Sequence, residues 1–453
     1  MKPETTKIDM LILSDDQQFV SRSTLFCDEM GFVNKNIPKI DLLLDNESEY
    51  TQTIFVIYDG TKLSQDLIVG DVQVLKQICP TAVIMAVASG KMNPSQISFL
   101  KKSGANLVVL ENEFYLSSKF EFIAMQSILS TYVPVKPTDI IKGKVSPCII
   151  YHMLPLNKKY LPVLVEGQEI SENKVNKITE VGEVYIKKSD VDKFAAYAAT
   201  IDDRSAAGLT RRCRMEYLKL ANSFNELVFL LTDQAEYASF DAGKKIYEKC
   251  RDLASNLLVG LSSIGDPWEV INNSSSGGFG SVERAPAIAA YAGLLSLQSN
   301  IGESVDVMIC AMIADIGLLD LDPKASKKLR QDLFSALNEE ERIGYEKHPI
   351  ISLNQALSRK LQISEHMKNI ILATHERNDE KGFPNKLRAG KIPDEAMLIQ
   401  ISEMVDRETI VKMGKERKNI KFVRNEIFAR EEKKNDVFPV TFLLKIKEYF
   451  VMS

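Results

Sequence analysis

Short apolar runs alternate with amphipathic stretches over the first third of the chain. Met10 to Leu13, Ile54 to Tyr58, Ala82 to Val87 and Asn106 to Leu110 are rich in Val, Ile and Leu. Such runs, separated by helical patterns, predict buried parallel strands of an α/β unit over residues 1–133. The Pro-rich stretch Val133-Pro134-Val135-Lys136-Pro137 predicts a linker. From 138 to 195 the pattern is mixed. Cys148-Ile149-Ile150-Tyr151 and Val184-Tyr185-Ile186 are strand-like, and Val163 to Gln168 adds a strand and a turn. Ser171 to Ile178 predicts a short helix capped by Ser171, so a small α+β domain is expected. From 196 to 453 the period is helical, as in Tyr217, Leu220, Ala221, Phe224, Leu227, Val228 and Leu231, in Ile351, Leu353, Ala356 and Leu357, and in Ile370, Ile371 and Ala373. The expected fold is therefore multidomain: a doubly wound parallel sheet, a small α+β domain and an all-α C-terminal region.

Composition narrows the classes. A chain of 453 residues exceeds one ordinary core. Its 45% hydrophobic and 26% charged content is that of a globular protein. Net charge is −4, so no global basic field points to nucleic acid. The cysteines Cys27, Cys79, Cys148, Cys213, Cys250 and Cys310 are scattered without a C-x-x-C pair, which argues against a zinc knuckle and fits a reducing, cytoplasmic setting. No apolar run is long enough to span a bilayer. Four histidines, His152, His348, His366 and His375, limit any histidine-rich metal site. His152, among apolar neighbours, reads as a hydrogen-bonded structural residue. Asn272 to Gly280 has a phosphate-loop look, but it follows helical sequence and lacks the lysine, so it reads as a connector.

Asp15 and Asp16 end the first strand and Asp59 ends a later one. Carboxylates at strand C-termini lie at the crevice of an open α/β sheet and suit a hard cation such as Mg²⁺. On these residues the first block resembles the receiver domain of response regulators, which implies phosphoryl transfer to Asp59. Val87 stands where that family has Thr or Ser, and Glu111 stands where it has a lysine. A carboxylate there reverses the local field. Asp15, Asp16, Asp59 and Glu111 are thus expected to be an acidic pocket of a receiver-shaped docking module rather than a phosphorylation site.

The stretch Thr374-His375-Glu376-Arg377-Asn378-Asp379-Glu380-Lys381-Gly382-Phe383-Pro384 resembles the signature loop of HD-GYP proteins, H-H-E-x-x-D-G-x-G-Y-P. The first histidine is Thr374, the glycine after the aspartate is Glu380 and the tyrosine is Phe383. Further elements follow the family's order between Arg284 and Thr409. Arg284 stands at an upstream ligand histidine. In Met312-Ile313-Ala314-Asp315-Ile316-Gly317-Leu318, Asp315 of the His-Asp pair remains, with Ala314 for its histidine and Leu318 for its lysine. His348 remains in the H-P element His348-Pro349. Glu403 and Asp406 align with the family's final pair of aspartates.

The resemblance implies a domain descended from binuclear or trinuclear cyclic di-GMP phosphodiesterases. With a methyl at 314 and a guanidinium at 284, the remnant positions Asp315, His348, His375 and Glu403 are expected to be non-catalytic, and no metal or other cofactor is expected. The leading function is a signalling protein of two-component type, regulatory or scaffolding, contacting other signalling proteins through the loop His375, Glu376, Arg377, Asp379, Gly382, Phe383 and Pro384. A homodimer is left open. Two alternatives stand beside it. One is a cyclic di-GMP sensor using Arg377, Lys381 and Arg388 on phosphates. The other is an active phosphodiesterase with Fe, Mn or Zn in a remodelled site. In the blander reading Asp315 hydrogen-bonds within the bundle, His348 caps a helix, His375, Glu376 and Arg377 tie down the loop, and Gly382 and Pro384 set its turn.

Overall fold

The computed structural model describes residues 8–451 apart from 31, 46, 52, 123–131, 155–158, 182–183, 201–204, 233–239, 275–280, 332, 389 and 410–417. The chain divides into two compact units. The first is Met1–Leu129 with Thr232–Ser239 and Leu319–Lys327, and the second is Ser130–Leu231, Phe240–Leu318 and Lys328–Ser453.

In the first unit, strands β1 (Met10–Leu13), β2 (Asn34–Ile37), β3 (Phe55–Gly60), β4 (Val83–Ala88) and β5 (Leu107–Leu110) form one parallel sheet in the order β2-β1-β3-β4-β5. This is a doubly wound order. Strands β1, β3, β4 and β5 are almost wholly apolar because both faces of the sheet are covered, whereas the edge strand β2 is polar. Leu11, Leu13, Val56, Tyr58, Ile84 and Ala86 enter one core, and Met10, Ile12, Phe55, Ile57, Met85 and Val87 enter the other. Helix α1 (Gln17–Met30) follows β1, and α2 (Glu111–Leu116) follows β5.

The second unit opens on strand β6 (Tyr132–Val135), which corrects the linker reading of 133–137. It pairs with β9 (Val184–Lys187), and β7 (Ile150–Leu154) and β8 (Lys159–Leu164) complete an antiparallel sheet in the order β6-β9-β7-β8. Val135, Ile150, Tyr151, Leu164, Val184 and Ile186 are buried on its described strands. His152, on β7, has a buried Nδ1 without a hydrogen-bond partner among the described residues, contrary to the satisfied role expected of it.

Helices complete this unit. The functional ones are α3 (Ser281–Ser299), α4 (Ser304–Ala314), α5 (Glu339–Ser358), α6 (Glu365–Ala373) and α7 (Asp394–Thr409). Helix α4 is apolar on every side beyond its first turn and buried along nearly its whole length, and it packs against α3, α5, α6 and α7. Asn272 to Ser274 end a helix, Pro267–Ser274, rather than starting a connector, and the rest of that stretch lies outside the described residues. No described helix is long and apolar enough to cross a membrane.

Candidate functional site

Three side chains from separate elements meet at the C-terminal end of α4. Asp315 is the residue that ends this helix. His348 lies inside α5, not at its end, which corrects the cap reading. His375 follows α6. His348 Nε2 is 3.3 Å and His375 Nε2 is 3.2 Å from Asp315 Oδ1, and the two Nε2 atoms are 2.9 Å apart. All three residues are nearly sealed from solvent, His348 completely.

Local packing sets this convergence. Ser352, one turn after His348, donates to the Ala314 carbonyl and accepts from the Gly317 amide, both at 2.7 Å. It thereby locks the end of α4 onto α5. Only glycine fits at 317, since a Cβ there would lie 2.3 Å from the His348 carbonyl oxygen. On the other side, Phe383 stacks on His375 with ring centroids 4.9 Å apart, and Tyr345 meets Phe383 edge-on and His348 at a tilt, each at 5.1 Å.

The signature loop is pinned from within. Glu376 is fully buried and accepts from the amides of Asn385 at 2.7 Å and Leu387 at 2.8 Å. A Cβ at Gly382 would lie 2.4 Å from the Arg377 nitrogen, so the tight approach requires glycine. The Phe383–Pro384 bond is cis. Arg377 forks onto Asp379 at 2.9 and 2.7 Å, and that pairing holds the Asp379 carboxyl down at about 2. Arg377 therefore already has a partner, whereas Lys381 and Arg388 are exposed. Thr374, where the resemblance has a histidine, turns its hydroxyl back to the Ile371 carbonyl at 3.0 Å.

The remaining sequence candidates lie elsewhere. Glu403 accepts from Arg407 at 2.9 Å, an i,i+4 pair legible from spacing. Arg284 on α3 reaches Asp406 on α7 at 2.6 Å, with both side chains buried. Burial pushes the Asp406 carboxyl above its usual range despite that guanidinium. In the first unit Asp59 accepts from the Ser14 hydroxyl at 2.6 Å on one oxygen and from the Thr61 hydroxyl at 2.6 Å on the other. Asp16 accepts from the Gln18 and Phe19 amides at the start of α1 and from Lys62 at 2.7 Å, and Lys62 leads the causes that lower its pKa. Asp15 and Glu111 are exposed. Ser14, Thr61, Lys62, Tyr345 and Ser352 were missed by sequence reasoning. Lys62, three residues past Asp59, and Ser352, four past His348, carry the only sequence hint, their spacing.

The electrostatics of the cluster follow from its closeness. Burial disfavours the Asp315 carboxylate, but its contacts with His348 and His375 outweigh that and hold the carboxyl far below its usual range. Burial lowers the pKa of His348, with Asp315 opposing. Burial also works against charge on His375, but there the hydrogen bond and charge of Asp315 prevail and the pKa rises.

This donor set fits one metal ion. Three ligands held about 2.0–2.2 Å from an ion lie about 2.8–3.6 Å from one another, from octahedral to tetrahedral angles. The observed edges of 2.9, 3.2 and 3.3 Å fall in that window. Among the described residues, this is the one group of three or more His, Cys, Asp or Glu ligands whose atoms all lie within 4.8 Å of one another. Glu403 does not belong to it.

Residues 267–420, in the helical part of the chain, match the HD domain family, and the span contains Arg284, Asp315, His348, His375, Glu403 and Asp406. Among solved structures, the chain is similar to Bd1817, an HDG"Y"P protein from Bdellovibrio bacteriovorus, at 14% identity and a TM-score of 0.44, over 70% of this chain and 99% of that one. A search of curated proteins returned no match.

Proposed function

We propose that this chain is a bacterial signalling protein whose HD-GYP-type domain holds a single metal ion and acts through protein contacts, without hydrolysing cyclic di-GMP. The observation that carries this reading is the size of the donor set: Asp315, His348 and His375 close on one point, while position 314 is a methyl and Arg284 is engaged with Asp406. The ion replaces the expectation of no metal, because Asp315, His348 and His375, which the motifs gave only as scattered remnants, converge. A divalent ion there would polarise a bound oxygen. Phosphodiester attack in this family's manner needs further charge on the substrate phosphate, and Leu318 cannot supply it.

Protein contact is supported by the loop. Glu376 fixes its backbone from inside while Glu380, Lys381, Asn385, Lys386 and Arg388 face solvent. A rigid charged surface binds without a large ordering cost. The first unit fits a receiver-like docking module, since the hydroxyls on Asp59 and the Lys62 contact on Asp16 satisfy the acids without a phosphoryl group.

Elemental analysis of purified protein, with a cyclic di-GMP turnover assay, tests the reading. One ion per chain and no turnover are expected. A metal-free protein, two ions per chain, or turnover lost in His375→Ala would overturn it. Acetyl phosphate with Mg²⁺ is expected to leave the intact mass unchanged, and a phosphoryl adduct on Asp59 would remove the docking-module reading.

A further inference from the structure

We infer that Pro349 is a positioning residue for the metal centre: lacking an amide hydrogen, it frees the Tyr345 carbonyl to take the Nδ1 proton of His348 and so presents the bare Nε2 of that ring to Asp315 and His375. The inference rests on the one-ion reading above.

The geometry is a consequence of helix hydrogen bonding. In an α-helix the amide of residue i donates to the carbonyl of residue i−4. Residue 349 would serve Tyr345, and Pro349 sits inside α5. Proline has no N–H, and its ring clashes with that same carbonyl, which must tilt away from the helix axis. The orphaned oxygen lies 2.5 Å from His348 Nδ1. A carbonyl only accepts, so Nδ1 carries the proton. In the neutral ring the lone pair is then on Nε2, which lies 2.9 Å from His375 Nε2 and 3.3 Å from Asp315 Oδ1. A buried ring with this backbone partner is the arrangement that fixes tautomer and orientation in metal-binding histidines. Any other residue at 349 would bring an N–H to the same oxygen in competition with the ring.

A purely structural proline makes the opposite forecast. Replacing an interior helical proline by alanine favours the helix. Pro349→Ala is therefore expected to leave the metal-free protein as resistant to denaturant as the wild type, or more so. Its affinity for Zn²⁺ or Mn²⁺ is expected to fall by about ten- to a hundred-fold, the cost of losing an outer hydrogen-bond partner. The tautomer is read directly from ¹⁵N shifts of histidine-labelled, metal-free protein, which are tractable with four histidines. His348 should be Nδ1–H in the wild type and mixed in Pro349→Ala. Equal metal affinity in the two proteins would overturn the inference, as would an Nε2–H tautomer in the wild type. If the wild type binds no metal, the one-ion reading falls, and the metal-free tautomers decide the role of Pro349: a shift in the variant supports it and no shift refutes it. Should the variant misfold, the wild-type tautomer alone decides.

Discussion

Arg284→Ala is expected to destabilise the helical unit by about 3–5 kcal/mol, the range for breaking a buried ion pair from one side. The pair is short, 2.6 Å, and buried on both sides, and it ties α3 to α7. Removing the guanidinium leaves the Asp406 carboxylate without it in a site where burial, and to a lesser degree Glu403, already oppose its charge. The carboxyl's folded pKa is raised in the wild type, so its ionisation costs stability as pH rises through that value. Without Arg284 the rise is larger. The variant should therefore lose more at pH 8 than at pH 5, where protonation relieves Asp406. Arg284→Met combined with Asp406→Leu should regain most of the loss, because neither charge then needs a partner. Chemical denaturation at the two pH values checks this, and a loss below about 1 kcal/mol with no pH dependence would show that the pair is not what joins the helices.

That pair also shows where sequence reading stops. Arg284 was recognised as a cation in a ligand position, but its partner lies 122 residues away, and nothing in spacing connects them. The parallel strands were legible because burial on both faces makes them continuous apolar runs. Strand β2, Asn34-Lys35-Asn36-Ile37, was not, because it lies at the sheet edge and needs few apolar side chains. Strand β6 was taken for a linker on its prolines, yet Pro134 sits on the edge strand of its sheet, where a missing N–H removes little. In the helical unit the motifs single out Asp315, His348, His375 and Glu403 one by one. Counting them could not show that Asp315, His348 and His375 converge while Glu403 turns to Arg407, because that depends on how α4, α5 and α7 cross. Arg377, a phosphate candidate on charge alone, forks onto Asp379 two residues on, a local partner that its charge did not reveal.

Metal binding at the cluster is expected to weaken about tenfold for each pH unit below the raised pKa of His375, and to release one proton per ion. The His348 ring already has its proton on Nδ1, so its Nε2 can only accept. For its Nε2 to meet both that nitrogen and the Asp315 carboxylate favourably, His375 must carry a proton there. An ion needs the same lone pair, so proton and metal exclude each other at one atom. The sign follows. In the metal-free protein His375 contributes stability that is complete below its unfolded value of about 6.5 and is lost as pH rises through its higher folded value. Added metal reverses that trend, since its stabilisation grows as the proton leaves; a concentration of 100 Kd contributes about 2.7 kcal/mol. Melting with and without Zn²⁺ or Mn²⁺ between pH 6 and 8.5 should show a shift that is small at the acid end and large at the alkaline end. Asp315→Asn should abolish both the shift and the elevated pKa of His375, because the carboxylate supplies the charge that ion and proton share. A metal-induced shift that is flat across this range, or one that persists in Asp315→Asn, would mean that ions bind elsewhere on the chain.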